Sequence, residues 1–356
     1  MAIFWTIVII GLLIFVHEGG HFLVARWCGV CVRKFSLGFG PKVVGKKIGE
    51  TEYIISAIPF GGYVKLLGES PNERISKEEV YHAFIHQPLL KRTLIVIAGP
   101  MANLLFAIVI FVSLFMLYGY PHLIPKIAEV QRGSPAALAG IKAGDIVISV
   151  NDKAINTWEE LASKIQNSKG PLNIKVKRDK KIISLIVRPK LEKTKNIFGE
   201  EIRRPIIGII ASGEVETEHL LPWQAVIKAF VQTYAITKLT FVTIEKLISG
   251  KISLKTLAGP IGIAQLATQR AEAGLAVLWS FAALLSINLG VLNLLPIPIL
   301  DGGHLLFYLI EFIKKKPLNI KTMEIAQNVG LAILILLMLL VTYNDIIRIV
   351  KRSFFP

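Results

Sequence analysis

Four stretches of this chain are each long and apolar enough to cross a bilayer: Met1–Ala25, Thr93–Pro125, Ala273–Leu300 and Ile325–Asn344. A crossing helix needs about 20 mostly apolar residues, because lipid offers no hydrogen-bond partner to exposed backbone. The last three stretches contain no Lys, Arg, Asp or Glu, and the first contains only Glu18, flanked by His17 and His21. That first stretch has no basic start and no cleavage pattern, so it does not read as a signal peptide. With 53% hydrophobic and 19% charged residues, the chain is neither disordered nor an ordinary soluble domain. Two cysteines exclude a disulfide-dense scaffold and a four-cysteine zinc site.

The net charge of +16 does not point to nucleic acid, since no basic stripe interleaved with aromatics occurs. The basic residues instead flank the apolar runs, where they set topology. Eleven Lys and Arg lie between Arg26 and Arg92, Arg74 among them, and Lys314, Lys315, Lys316 and Lys321 follow the third run. Both loops are expected in the cytoplasm. The N-terminus and residues from about 119 to 272 are then expected outside. Arg348, Lys351 and Arg352 would also lie outside, against the rule. Trp223–Ile248 is interrupted by Lys228, Lys238, Glu245 and Lys246. Trp223, Ile227, Phe230, Tyr234, Phe241 and Ile248 fall roughly on one face, which predicts an interfacial helix or one packed on the spans.

The first run contains His17-Glu18-Gly19-Gly20-His21. Helical residues four apart share a face, so both imidazoles can meet one zinc ion, with Glu18 one step round as general base. An ionisable group inside a span is costly, and function is its default explanation. Gly19 and Gly20 permit close approach of another helix. A third ligand is needed if the fourth position is kept for water. The third run ends in Asn293-Leu294-Leu295-Pro296-Ile297-Pro298-Ile299-Leu300-Asp301-Gly302-Gly303-His304. Its two prolines break the helix, and irregular backbone at membrane depth survives only when buried in protein or beside water. Asp301 follows this break on an expected Gly-Gly hinge. It reads as the carboxylate ligand, or alternatively as the cap of a helix starting near Gly302. His304 could be a rival ligand, a partner to a ligand or a helix-end residue.

The pairing of His17–His21 in the first span with Asn293–Asp301 late in the third resembles the site-2 protease family of intramembrane zinc metalloproteases. Phe35–Pro41, Pro59–Lys65, Ala98–Asn103 and Gly259–Ile263 resemble further blocks of that family, and the bacterial subgroup cutting anti-sigma factors and remnant signal peptides is the most similar. The resemblance implies one zinc ion per chain held by His17, His21 and Asp301, and a water activated by Glu18. It also implies that Asn293, Pro296 and Pro298 line the site and hold substrate extended. Irregular backbone from Gly38 to Lys65, Gly61 and Gly62 included, could supply an edge strand for substrate by strand addition. Within it, Val43–Ile58 reads as a hairpin dipping into the membrane, or as an ordinary cytoplasmic loop. The implied partners are single-span membrane proteins and the lipid bilayer. The implied location is the bacterial inner membrane, with the active site open to the cytoplasm.

From Ile127 to about Gly213 charges become frequent and short alternating runs appear. Gly133–Asn151 resembles the circularly permuted PDZ domain of bacterial proteases. Thr157–Ile165 predicts a short helix, and Leu172–Val176 and Ile182–Val187 predict strands. Ile207, Gly208 and Ile209 form a candidate carboxylate-binding loop in a groove for an added peptide strand. The domain is expected to gate access by binding a C-terminus or, as the preferred reading, by excluding large ectodomains.

The expected fold is a mainly α-helical polytopic membrane protein with four transmembrane helices, a membrane-associated β-hairpin element and one external α+β PDZ domain. Its expected parts are 1–125, with the first two spans and the His-Glu site; 126–213, the PDZ domain; 214–272, an interfacial region; and 273–356, the last two spans. A non-catalytic membrane-anchored PDZ scaffold is the alternative, and the intact Glu18 counts against it. Cys28 and Cys31 read as small apolar filler.

Overall fold

The computed structural model describes residues 2–69 and 75–354. Arg74, one of the basic residues counted above, lies outside the described residues. The chain divides into two compact units, one of residues 1–114 with 223–356 and one of residues 115–222.

The first unit opens with α1 (Ala2–Trp27), which carries both histidines in its second half. Two long strands follow, β1 (Val32–Ile48) and β2 (Thr51–Leu66), joined at Gly49-Glu50 with Gly49 at φ 62°. Residues 44–48 pair with 51–55, which gives the expected hairpin. Lys34, Phe35, Ser36 and Leu37 then each pair twice, with 52–55 on one side and with 62–65 on the other. Two bent strands thereby build four sheet segments, whose outer edges are 42–48 and 61–66. Val43, Val44 and Ile48 on the first of these edges are exposed.

α2 (Leu89–Tyr118) packs closely on α1, because Gly20 leaves no room for a β-carbon against the Ala98 carbonyl and Ala102 Cβ. Gly19 has open space around it, so only one of the two glycines serves this contact.

The second unit holds β3 (Tyr120–Leu123), β4 (Ile127–Val130), α3 (Pro135–Leu138), β5 (Ile146–Val150), β6 (Lys153–Ala154) and α4 (Trp158–Gln166). It continues with β7 (Leu172–Arg178), β8 (Lys181–Val187), β9 (Lys190–Lys195), β10 (Glu201–Ile206), β11 (Ile209–Ala211) and β12 (Val215–Glu218). A four-stranded sheet runs β6-β5-β7-β8, and β11 pairs with β4 and with no other strand among the described residues. α4 forms because Thr157 caps it, accepting from the Glu160 N–H, and because Leu161 and Ile165 share its buried face. These two pack with Ile127, Val147, Ile174, Val176 and Ile207 in one core.

The chain then returns to the first unit through α5 (Pro222–Ile248), α6 (Pro260–Glu272), α7 (Leu275–Asn293), α8 (Asp301–Lys314) and α9 (Ile320–Phe354). Five helices among the described residues, α1, α2, α5, α7 and α9, are long and apolar enough to cross a membrane. The expected count was four. The addition is α5, whose charged residues are spread along the helix and leave a long window with few of them. Length and composition admit a crossing there without requiring one.

Candidate metal centre

α1 places His17 and His21 on one face, one turn apart, and the loop after α7 brings Asp301 to them. His17 Nε2 lies 3.1 Å from Asp301 Oδ2, and His21 Nε2 lies 3.6 Å from Asp301 Oδ1. The two Nε2 atoms are 3.2 Å apart. One candidate ligand atom from each residue falls within 4.8 Å of the others. His17 is buried, and the other two are largely so. Asp301 Oδ2 is buried and, apart from this 3.1 Å approach to His17 Nε2, which is not aligned as a hydrogen bond, has no partner among the described residues. Three electron-pair donors crowded in this way, one of them otherwise unsatisfied, fit a divalent cation of borderline softness, and two imidazoles with one carboxylate fit zinc.

The glycines here make room rather than bend. Gly99 of α2 faces the His21 ring, which occupies the space a β-carbon would need. Gly302 and Gly303 were expected to hinge, yet both are buried inside α8. A side chain on Gly302 would strike the carbonyls of Leu294 and Leu295, and one on Gly303 that of Ile297. The broken backbone after α7 is therefore folded directly onto the start of α8. Asp301 is the first residue of α8, and Leu300 is the cap position, with no side-chain capping bond. The capping alternative for Asp301 is thus set aside. His304 lies outside the three-residue cluster, and its ring meets Phe307 edge-on.

Glu18 is half-buried, with the Val64 backbone N–H near enough to stabilise its carboxylate. A β-carbon at Gly62 would stand 3.3 Å from Glu18 Cγ and 2.9 Å from Ile14 Cγ2. The sheet edge 61–66 thus runs beside this carboxylate. Gly61, at φ 100°, lies against the Phe39 ring, which stacks on Tyr63 with centroids 6.3 Å apart. Asn293 ends α7 half-buried, and its amide has no hydrogen-bond partner among the described residues. Pro296 is exposed and Pro298 half-buried, with Pro298 against Gly330 of α9.

Two contacts on α2 escape a reading of the sequence. His21 Nδ1 lies 2.8 Å from the Ile95 carbonyl oxygen, and His17 Nδ1 lies 3.3 Å from the amide of Asn103. Asn103 belongs to the Ala98–Asn103 block, but nothing in its spacing points to a histidine 86 residues away.

In the second unit, Gln131 N–H donates to the Gly208 carbonyl and Ala136 N–H to that of Ile207. Gly208 has φ 77°, and a β-carbon there would overlap Ser134. Ile207 is buried, while Ile209 starts β11. Cys28 and Cys31 sit in separate buried clusters. Burial and the Glu50 carboxylate push the Cys31 thiol up to about 11. It carries no thiolate at neutral pH, in keeping with a filler role.

Comparison with known proteins adds to this geometry. A protein of Agrobacterium fabrum, described as a candidate zinc metalloprotease, is 38% identical over 96% of this chain and 94% of its own length. The zinc metalloprotease RasP of Geobacillus kaustophilus is 33% identical over 96% of each chain. The regulator of sigma-W protease RasP of Bacillus subtilis is 32% identical over 96% of this chain and 97% of its own. Among solved structures, the PDZ domain of a Listeria monocytogenes SdrC-like protein matches with 21% identity, covering 26% of this chain and 90% of that one, at a TM-score of 0.21. The HtrA3 PDZ domain matches with 22% identity, covering 20% and 81%, at 0.19. Residues 5–337 match the profile of peptidase family M50, and with relatives this similar along nearly its whole length the chain belongs to that family, the site-2 proteases, as a membrane zinc metallopeptidase.

Proposed function

We propose that this protein cuts single-span membrane proteins within or beside the bilayer, with His17, His21 and Asp301 holding zinc and Glu18 as general base. The observation that carries the reading is the cluster of three ligand atoms in apolar helices, with Glu18 next in sequence to one ligand and beside an open strand edge. When bound, zinc supplies Lewis acidity that acidifies a water and polarises the scissile carbonyl. Glu18 takes a proton from the attacking water and returns it to the leaving amine. The Val64 N–H holds its carboxylate toward the sheet edge.

A peptide bond inside a helix is shielded by its own hydrogen bonds, so the substrate must be extended. The edge 61–66 offers backbone groups for strand addition, with no side chain at Gly61 or Gly62 to obstruct it. Asn293, at the end of α7, is a candidate donor to the oxyanion, and the Pro296–Pro298 loop lines the far side. The substrate class is bacterial single-span regulators such as anti-sigma factors, in line with the sigma-W name of the Bacillus relative, and remnant signal peptides. The 126–213 region is read as a PDZ domain whose Ile207–Ile209 loop and β11 edge face a groove, and which screens substrates by ectodomain size.

Four crossings fit the packing better than five. His17 meets Asn103 while His21 meets Ile95, so α1 and α2 run antiparallel. Ser286 bonds to the Asn103 carbonyl and Gly290 packs on that of Pro100, so α7 is antiparallel to α2 and parallel to α1. α2 therefore ends on the face where α7 begins, and an even number of crossings separates them. α6, at 13 residues, is too short to cross. α5 then dips without crossing, as its interrupted apolar run suggests. Arg348, the apparent misfit to the charge rule, donates to the carbonyls of Lys255 and Leu257 and so has a local structural role. With the basic loops 26–92 and 314–321 read as cytoplasmic, four crossings leave the N-terminus and the PDZ region outside and the site open to the cytoplasm.

The test is cleavage of a single-span substrate with a short ectodomain by purified wild type and Glu18→Gln, with zinc measured in both. Cleavage by wild type alone, with zinc retained in both, is expected. Equal cleavage by both would remove Glu18 from its role.

A further inference from the structure

The Nε2 atoms of both histidines face Asp301, so in the zinc-bound state each must present a lone pair there. A neutral imidazole with a free Nε2 carries its proton on Nδ1, and that N–H then needs an acceptor. For His21 the acceptor is the Ile95 carbonyl, at 2.8 Å. For His17 the only group at hydrogen-bond distance among the described residues is the Asn103 side chain, at 3.3 Å.

Asn103 is fully buried, and its Oδ1 has no partner when its Nδ2 faces the ring. Amide oxygen and nitrogen are nearly indistinguishable in shape, and their assignment follows from the hydrogen-bond network. A half-turn of the amide brings Oδ1 to His17 Nδ1–H, pairing that donor with an acceptor, and moves Nδ2 to the position Oδ1 leaves. The backbone at this position is held independently, because Ser286 Oγ–H donates to the Asn103 carbonyl at 2.8 Å. Gly290 of α7 also packs 3.4 Å from Asn103 Cβ, measured to the β-carbon a side chain there would add.

We infer that Asn103 is a positioning residue for the metal site: its side-chain oxygen fixes the tautomer and ring orientation of His17 across the α1–α2 interface. The inference rests on the reading of His17 as a zinc ligand. Hydrogen-bond partners of metal-bound imidazoles are generally worth about 10–100-fold in metal affinity. The same margin is expected here, because a buried ring without an acceptor is free to adopt the tautomer that cannot bind.

The experiment is a chelator-competition titration of zinc on full-length protein in detergent, comparing wild type, Asn103→Leu and Asn103→Asp. Thermal unfolding of the metal-free forms monitors folding. Leu keeps the forked shape and the Ser286 bond to the backbone carbonyl but offers no side-chain acceptor, so its zinc Kd should rise about 10–100-fold. Asp offers acceptors only, so it should hold zinc within a few-fold of wild type or more tightly. The cobalt-substituted Leu variant should show an altered visible spectrum, and the Asp variant one like wild type. A folded Leu variant with wild-type zinc affinity would overturn the inference, as would a folded Asp variant weakened more than tenfold. Wild type that fails to hold one zinc per chain would instead overturn the reading of the site itself.

Discussion

Arg92 and Glu311 form a two-pronged ion pair between the start of α2 and the end of α8, with Nη2–Oε1 at 2.6 Å and Nη1–Oε2 at 3.2 Å. The guanidinium also lies over the Tyr308 ring, 5.1 Å from its centroid. Both partners are largely shielded, at 14% and 20% side-chain exposure. The pair fixes the far end of the helix whose first residue is Asp301. Arg92→Ala should lower stability by about 2 kcal/mol, in the range of hydrogen bonds to charged groups. Thermal unfolding in detergent reads this loss, and the swap Arg92→Glu with Glu311→Arg should recover part of it.

Gly99→Ala tests the room left for His21. The added methyl meets the imidazole ring directly, and α2 backbone cannot recede without breaking its contact at Gly20. Zinc per chain after gel filtration should drop below half that of wild type, with helical content retained. A fully loaded Ala variant would show that the ring has another resting place.

Gly62→Val tests the sheet edge and should act differently. Its side chain meets the Ser36 carbonyl and Ile14 before it reaches Glu18, and it lies away from the three ligands. Zinc content should stay at wild-type level while cleavage of an extended substrate falls at least tenfold. Loss of zinc in this variant would tie the sheet to the metal rather than to substrate.

Asp145 offers a pH test outside the membrane. Burial alone would raise its pKa. The Arg178 guanidinium, bound at 2.7 and 2.8 Å, and the Lys142 N–H at 2.9 Å outweigh that and hold it below the usual carboxylate range. The folded state therefore binds its proton more weakly than the unfolded state. The resulting stability is complete well above the ordinary carboxylate pKa of about 3.9, and it is lost as pH falls from there through the lowered folded value. Hydrogen exchange of strands 146–150 and 172–178 in the full chain should accelerate over that window. Asp145→Asn should speed that exchange already at neutral pH, since Arg178 and the Lys142 N–H lose the charged acceptor that holds them.

The parts of the site legible in the sequence were those set by local geometry. His17 and His21 share a helical face by spacing alone. Asp301 stands out because Pro296 and Pro298 end a span just before it. The turn-rich stretch Val43–Ile58 announces a hairpin, although its turn falls at Gly49-Glu50 rather than at Lys46-Lys47. What stayed hidden depends on pairings between distant segments. Lys34–Leu37 cannot be known to take a second partner at 62–65 until the strand bends back. Gly302-Gly303 looks like a hinge in sequence because the carbonyls that exclude side chains there arrive from 294–297. Asn103 and Gly99 matter only through the register of α2 against α1. The Gly259-Pro260-Ile261-Gly262 block has a similar explanation: Asp345 of α9 accepts from the N–H groups of Gly259 and Gly262 at 3.2 and 2.8 Å, and no side chain fits at either.

The two histidine rings take their outer hydrogen bonds from the same helix, one from the Ile95 carbonyl and one from Asn103, two turns apart on α2. A slide of α2 along α1 by a single turn would unseat both rings together, because no neighbouring residue presents the same pair of groups at the same spacing. With His17 and His21 as the proposed metal ligands, occupancy of the centre and docking of the first two spans become one equilibrium seen from two sides. A ligand that strips the metal should loosen the helix pair, and a lipid environment that presses the pair together should tighten the grip on the ion.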